Sequence, residues 1–162
     1  MTGPPLHPQL AALDVLVDRW EGTGAGWYPT IESFEYREVA TFGHAGKPFL
    51  AYSQSTWSTV DAAPLHAETG YLRGLADGSL ELVVAHPFGA AELSAGRLER
   101  TGDRLVVELA STAVVTTGTA KDVAEVRRRL VVDGDTLTYR VAMAAVGRPL
   151  QDHLEATLRR VS

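Results

Sequence analysis

Short alternating segments joined by two-residue turns constrain this chain more than any other feature. Thr101-Gly102-Asp103 and Asp133-Gly134-Asp135 each separate two runs in which apolar and polar residues alternate, and Asp77-Gly78 ends another such run. Asp-Gly and Gly-Asp pairs in that setting specify tight hairpins, because glycine readily takes the positive φ that a two-residue hairpin turn demands. Strands are predicted at residues 34–39, 49–57, 66–73, 80–85, 90–99, 104–111, 123–132 and 136–145, with turns at residues 43–48 and 87–89. A segment after Trp20 and a last one from about Leu150 bring the number to about ten.

Consecutive hairpins make sequence neighbours antiparallel, and a long meander hides its edges by closing on itself. The expected fold is therefore all-β: a ten-stranded antiparallel up-and-down β-barrel with a small interior cavity, a sandwich being the alternative. Ahead of it, Leu10, Leu13 and Val17, with Leu16 and Trp20 on the other spacing, recur at three- and four-residue intervals and predict a short helix ending near Arg19. So short a helix persists only when packed, which makes it a lid or plug. Residues 1–9, with Pro4, Pro5 and Pro8, are expected to be a flexible lead-in, His7 included, and residues 10–162 a single domain.

Composition narrows the chemistry. The absence of cysteine removes disulfides, thiolate nucleophiles, iron–sulfur clusters and thiolate-ligated haem together. The five histidines, His7, His44, His66, His86 and His153, show no zinc-helix spacing. A formal charge of −5 argues against nucleic acid as a partner, and Arg127-Arg128-Arg129 reads as a solvated or rim position on a strand. No apolar run approaches the roughly 18 residues of a membrane span, so a cytoplasmic protein without a membrane partner is expected.

The segment Trp20-Glu21-Gly22-Thr23-Gly24-Ala25-Gly26-Trp27-Tyr28-Pro29-Thr30 is the most unusual. Glycines at every second position let a strand pass close to another backbone or to a flat ligand, where a Cβ would clash. At the other end of the chain, Pro149-Leu150-Gln151-Asp152-His153-Leu154 places one histidine at the start of the last segment, where it could ligate a metal or simply sit hydrogen-bonded at the surface. Strict alternation would put His153 with Glu155 and Thr157, on the face opposite Leu154, Ala156 and Leu158. His153 reaches the interior only if it opens the strand or sits in a bulge.

These two stretches, together with Phe34-Glu35-Tyr36, His44-x-Gly46-Lys47-Pro48 and Leu65-His66-x-Glu68-x-Gly70-Tyr71, resemble the nitrobindin family across residues 10–160. That family is described as haem-binding, fatty-acid-binding-protein-like barrels and as peroxynitrite isomerases. Asp18 stands where its glycine-rich motif opens on glycine. The resemblance implies one haem b per subunit near the barrel mouth, with His153 as axial iron ligand and Thr30, Lys121, Trp20, Gly22, Gly24 and Met143 among the cofactor contacts. His66 and His86 would line the cavity on the distal side, with no other catalytic side chain implied. Each has a plainer reading: core histidines, a core methionine and a solvated lysine.

The activity implied is reversible nitric oxide binding at ferric iron and isomerisation of peroxynitrite to nitrate, with peroxynitrite and nitric oxide as the small ligands. The alternative is a haem-free carrier of an apolar molecule such as a fatty acid. Pairing of two protomers into a homodimer along the outer wall is compatible with this pattern.

Overall fold

The computed structural model describes residues 2–161; Met1 and Ser162, the ends of the two expected segments, lie outside them. Among the described residues ten strands run in chain order: β1 (Asp18–Tyr28), β2 (Ile31–His44), β3 (Phe49–Ser58), β4 (Pro64–Gly74), β5 (Leu80–His86), β6 (Ala90–Thr101), β7 (Arg104–Thr116), β8 (Val123–Asp133), β9 (Thr136–Ala145) and β10 (Gln151–Val161). Each pairs antiparallel with its sequence neighbours, and β1 pairs with β10 to close the barrel. The expected up-and-down barrel is the fold, and the sandwich is not. Two hairpin turns behave as their residues dictate: Gly102 and Gly134 have φ of 58° and 59° inside the two-residue connections of β6–β7 and β8–β9.

The N-terminal helix differs from expectation in type and extent. It is a 3-10 helix, Pro8–Leu16, and Trp20 already belongs to β1. Leu10, Leu13 and Leu16 are spaced by three, and a helix of three residues per turn puts them all on one face. All three are 0% exposed, as is Trp20, whose indole Nε1 donates to the Leu16 carbonyl at 2.9 Å. The helix begins inside the stretch expected to be a flexible lead-in: Pro8 occupies its first turn, His7 Nδ1 accepts from the Gln9 N–H, and Leu6 packs against the core.

Two arginines tie this plug to the barrel. Arg160 stacks its guanidinium over Trp20, 4.4 Å from the ring centroid, and donates to the Val15 carbonyl at 2.8 Å and to Asp18 Oδ2 at 3.2 Å. Arg100 donates to the Ala12 carbonyl at 3.0 Å and pairs with Asp14 at 2.6 Å. Carbonyls left without partners at the end of a short helix are thus satisfied by the sheet. No helix of the described residues is long and apolar enough to cross a membrane.

Candidate functional site

The plug closes one end of the barrel; from the other a cavity of about 850 Å³ runs inward. Its floor is apolar, with Leu72, Leu82, Val107, Leu130, Leu137 and Leu158 contributing, and its outer wall includes Val123, Val126, Val141, Met143 and Leu154. A volume of this size and lining suits one small-molecule or cofactor ligand.

His153 enters this cavity by a break in register. Asp152 pairs with Ala142 and Leu154 with Val141, so His153 is the extra residue of a β-bulge in β10. Regular alternation would turn its ring outward; the bulge brings both His153 and Leu154 to the cavity. The ring is held on two sides. Nδ1 lies 2.9 Å from the Trp27 carbonyl, to which it donates, and Tyr28 meets the ring edge to face with centroids 5.4 Å apart. Tyr28 is itself fixed, since its hydroxyl donates to the Met143 carbonyl at 3.1 Å and accepts from the Ala145 N–H at 2.9 Å.

With Nδ1 carrying the proton, Nε2 keeps its lone pair, which is the tautomer a metal requires. Burial lowers the His153 pKa below the ordinary histidine value; the Trp27 hydrogen bond opposes this and nearby His66 adds to it. These features fit an axial haem ligand. Thr30, in the β1–β2 turn, and Lys121, in the β7–β8 loop, are exposed residues on the cavity rim, and Met143 lies on its wall.

Trp20, Gly22 and Gly24 stand apart from these residues and do not line the cavity, which corrects the expectation that they contact the cofactor. Trp20 is spent on the plug. A Cβ on Gly22 would run into the Thr157 carbonyl and the Leu158 backbone of β10, and one on Gly24 into the Tyr36 ring and the Glu155 carbonyl. Of the two uses open to the alternating glycines, close approach to a neighbouring backbone is the one found.

Deeper in, the cavity holds a charged belt whose pairing has no local signature in the sequence. Arg127 and Arg129 are exposed, but Arg128 shares the inward parity of Val126, Leu130 and Val132, so it is not the solvated or rim residue expected. Its guanidinium donates to Glu68 at 2.6 Å and to both Glu92 oxygens at 3.0 and 2.8 Å. Tyr52 donates to Glu68 Oε1 at 2.6 Å and Ser94 to Glu92 Oε2 at 2.9 Å. Burial pushes both carboxyls up, but Arg128 overrides it, holding Glu68 well below the usual carboxylate range and Glu92 at about 2. The same carboxylates raise the Arg128 pKa against the effect of its burial.

His66 and His86 sit beside this belt, stacked with centroids 5.4 Å apart; His86 Nε2 lies 3.0 Å from Glu92 Oε1, and His66 Nε2 lies 3.3 Å from Glu68 Oε2. Glu38 forms a separate group. It accepts from the Tyr139 hydroxyl, which is 2.7 Å from that of Tyr36, and burial lifts its carboxyl to about 7 despite that hydrogen bond.

Comparison with known proteins places this architecture. The family model described as THAP4-like, heme-binding beta-barrel domain matches residues 9–160. The chain is 52% identical over 155 residues to peroxynitrite isomerase 2 of Mycobacterium avium (strain 104), spanning 96% of each protein. It is 50% identical over 158 residues to peroxynitrite isomerase 1 of Mycobacterium tuberculosis H37Rv, again spanning 96% of each. The crystal structure of Rv2717c from M. tuberculosis superimposes with a TM-score of 0.95 at 48% identity, covering 98% of this chain and all of that one. A closed ten-strand barrel, matched along nearly its whole length by a family model and by relatives half identical to it, belongs to the THAP4-like heme-binding β-barrel domains, the nitrobindin family.

Proposed function

We propose that this chain is a haem-dependent peroxynitrite isomerase, holding one haem b per subunit at the barrel mouth through His153. The observation that carries the reading is the β-bulge that turns His153 into the cavity, with Nδ1 bonded to the Trp27 carbonyl. Bound haem would supply a ferric centre with one position open to peroxynitrite or to nitric oxide, and the rearrangement of peroxynitrite to nitrate adds no atom and no electron. The chain's own part is to bind and confine. His153 supplies the ligand nitrogen, and Tyr28 keeps its ring from turning. Val123, Val126, Val141 and Met143 make the mouth apolar and would limit water around the bound ligand. Lys121 and Thr30, on the rim, would contact bound haem. His66 and His86 line the same cavity.

The fatty-acid carrier is the weaker reading because its carboxylate would need a free cation inside. Arg128 already serves Glu68 and Glu92. Nitric oxide binding and a cytoplasmic setting belong to the proposal as well.

The test is the absorption spectrum of haemin-reconstituted protein, wild type beside His153→Ala, followed by peroxynitrite decay. The wild type is expected to show a sharp Soret band. The variant should bind haem about tenfold to a hundredfold more weakly, at least as much as removal of an outer-shell partner costs a metal site. Indistinguishable spectra in the two proteins would overturn the assignment of His153. Haem affinity should also hold down to lower pH than a solvent-exposed histidine would permit, because burial keeps His153 neutral.

A further inference from the structure

The geometry points to a second metal site on the inner cavity wall, separate from His153: His66, Glu68 and His86 form a two-histidine, one-carboxylate centre for a divalent transition ion. This inference does not depend on the haem reading. Three ligand atoms, His66 Nε2, Glu68 Oε2 and His86 Nδ1, form a nearly equilateral triangle. Its sides are 3.3 Å from His66 to Glu68, 3.4 Å from His66 to His86 and 3.5 Å from His86 to Glu68. Ligands about 2.0–2.1 Å from a tetrahedral zinc stand about 3.4 Å from one another, so an ion seated just off the plane of this triangle reaches all three.

Proton placement supports the same conclusion. Both Glu92 oxygens accept from Arg128, so in the contact at 3.0 Å His86 Nε2 is the donor. The other ring nitrogen of His86, Nδ1, faces Glu68 Oε2. A hydrogen on His66 Nε2 can be given to only one of these two atoms. An ion satisfies all three atoms together. The Glu92–His86 contact is also the outer-shell carboxylate that commonly orients a metal-bound imidazole.

Charge leads the same way. Glu68 and Glu92 are two buried carboxylates against the one guanidinium of Arg128, and the remaining negative charge lies in a low-dielectric wall. A bound cation would balance it. The site opens to the cavity, since all three ligands line it and the His66 side chain is 33% exposed. Phe88 roofs it, with ring centroids 6.2 Å from His66 and 5.3 Å from His86. Two imidazoles and one carboxylate with positions left open suit zinc or ferrous iron better than calcium or magnesium, which prefer all-oxygen sites.

Cobalt(II) titration of the chelator-treated, haem-free chain tests the proposal, because four- and five-coordinate cobalt has visible ligand-field bands. One equivalent is expected to bind with such bands and to be displaced by zinc. His66→Gln should abolish the bands. Glu92→Gln, which leaves all three ligands, should weaken binding about 10–100-fold. His153→Ala should leave the titration unchanged, and this variant keeps the cobalt result separate from any failure of haem binding. Each variant is first checked for native circular dichroism; should His66→Gln fail that check, His66→Asn takes its place. The proposal is overturned if folded wild type takes up no cobalt at millimolar concentration, or if uptake survives undiminished in both His66→Gln and Glu92→Gln.

Discussion

The two ends of the barrel are built by opposite rules. At the closed end, Leu10, Leu13, Leu16 and Trp20 are fully buried against one another, and hydrogen bonds finish the helix and tie it to the sheet. Between that end and the mouth, the cavity wall buries Glu38, Gln54, Glu68 and Glu92 together with Arg128. Apolar burial stabilises at about 25 cal/mol per Å². A buried ion cluster does not, because desolvation offsets most of the mutual attraction. The plug is therefore a stability element, whereas the belt is costly to keep and has to be explained by what it does to the cavity.

Breaking the belt should have the largest effect. Arg128→Met leaves two carboxylates buried with no cation, and unfolding in urea should show a loss of about 3–5 kcal/mol near neutral pH, recovered in part as acid protonates Glu68 and Glu92. The sign follows from their lowered pKa values in the wild type: stability that Arg128 confers is present above the ordinary carboxylate range and is lost as pH falls through the folded-state values. If Arg128→Met were neutral, the belt would have to be solvated, and its contrast with the plug would disappear. Leu13→Ala, at the other end, should cost about 3 kcal/mol through the cavity it leaves. It should do so equally at all pH values and without changing the Soret band of the reconstituted protein.

Glu38 sharpens the comparison because its contribution has the reverse sign. Burial raises its pKa to about 7 from an ordinary 4.5, so the folded state holds a proton that the unfolded chain has released. Stability should decline as pH rises from 4.5 to 7, by roughly 3 kcal/mol for about 2.5 pKa units, and level off above. Glu38→Gln should flatten that slope, leaving the variant more stable than wild type at pH 8 and nearly equal to it at pH 4.5. A difference between wild type and Glu38→Gln that stays constant between those values would show that Glu38 is ionised throughout.

The same division explains what could be read in advance. The leucine spacing of the plug and the glycines of the two-residue turns are local features, and the meander followed from them. Arg128 and Glu92 were also legible by parity, between Val126 and Leu130 in one strand and between Ala90 and Ser94 in another. Flanking arginines concealed the first, and polarity argued against placing either inside. Their partnership had no local trace, because Arg128 lies 36 residues from Glu92 and 60 from Glu68. The bulge at His153 exists only as a mismatch between β10 and β9, so alternation along β10 alone points the ring the wrong way. Trp20, Gly22 and Gly24 failed for a different reason: closeness to a backbone and closeness to a ligand demand the same residue.

Asp18 should produce the smallest change and is where the two ends can be separated most cleanly. It stands where the family's motif begins with glycine, and Arg160, which also stacks on Trp20 and bonds the Val15 carbonyl, reaches its carboxylate at 3.2 Å. Asp18 is more than a third exposed, so solvent screens the pair and Asp18→Gly should cost no more than about 1 kcal/mol. The loss should shrink further in high salt, unlike the loss in Leu13→Ala. Arg160 keeps the Val15 carbonyl, Asp135 and the Trp20 ring after the substitution, so the plug stays seated. His153 lies at the far end of β10 from Arg160, and haem uptake should be unaltered. A changed Soret band in Asp18→Gly would mean that the plug and the mouth communicate along β1 and β10, and that the closed end tunes the site it was taken only to support.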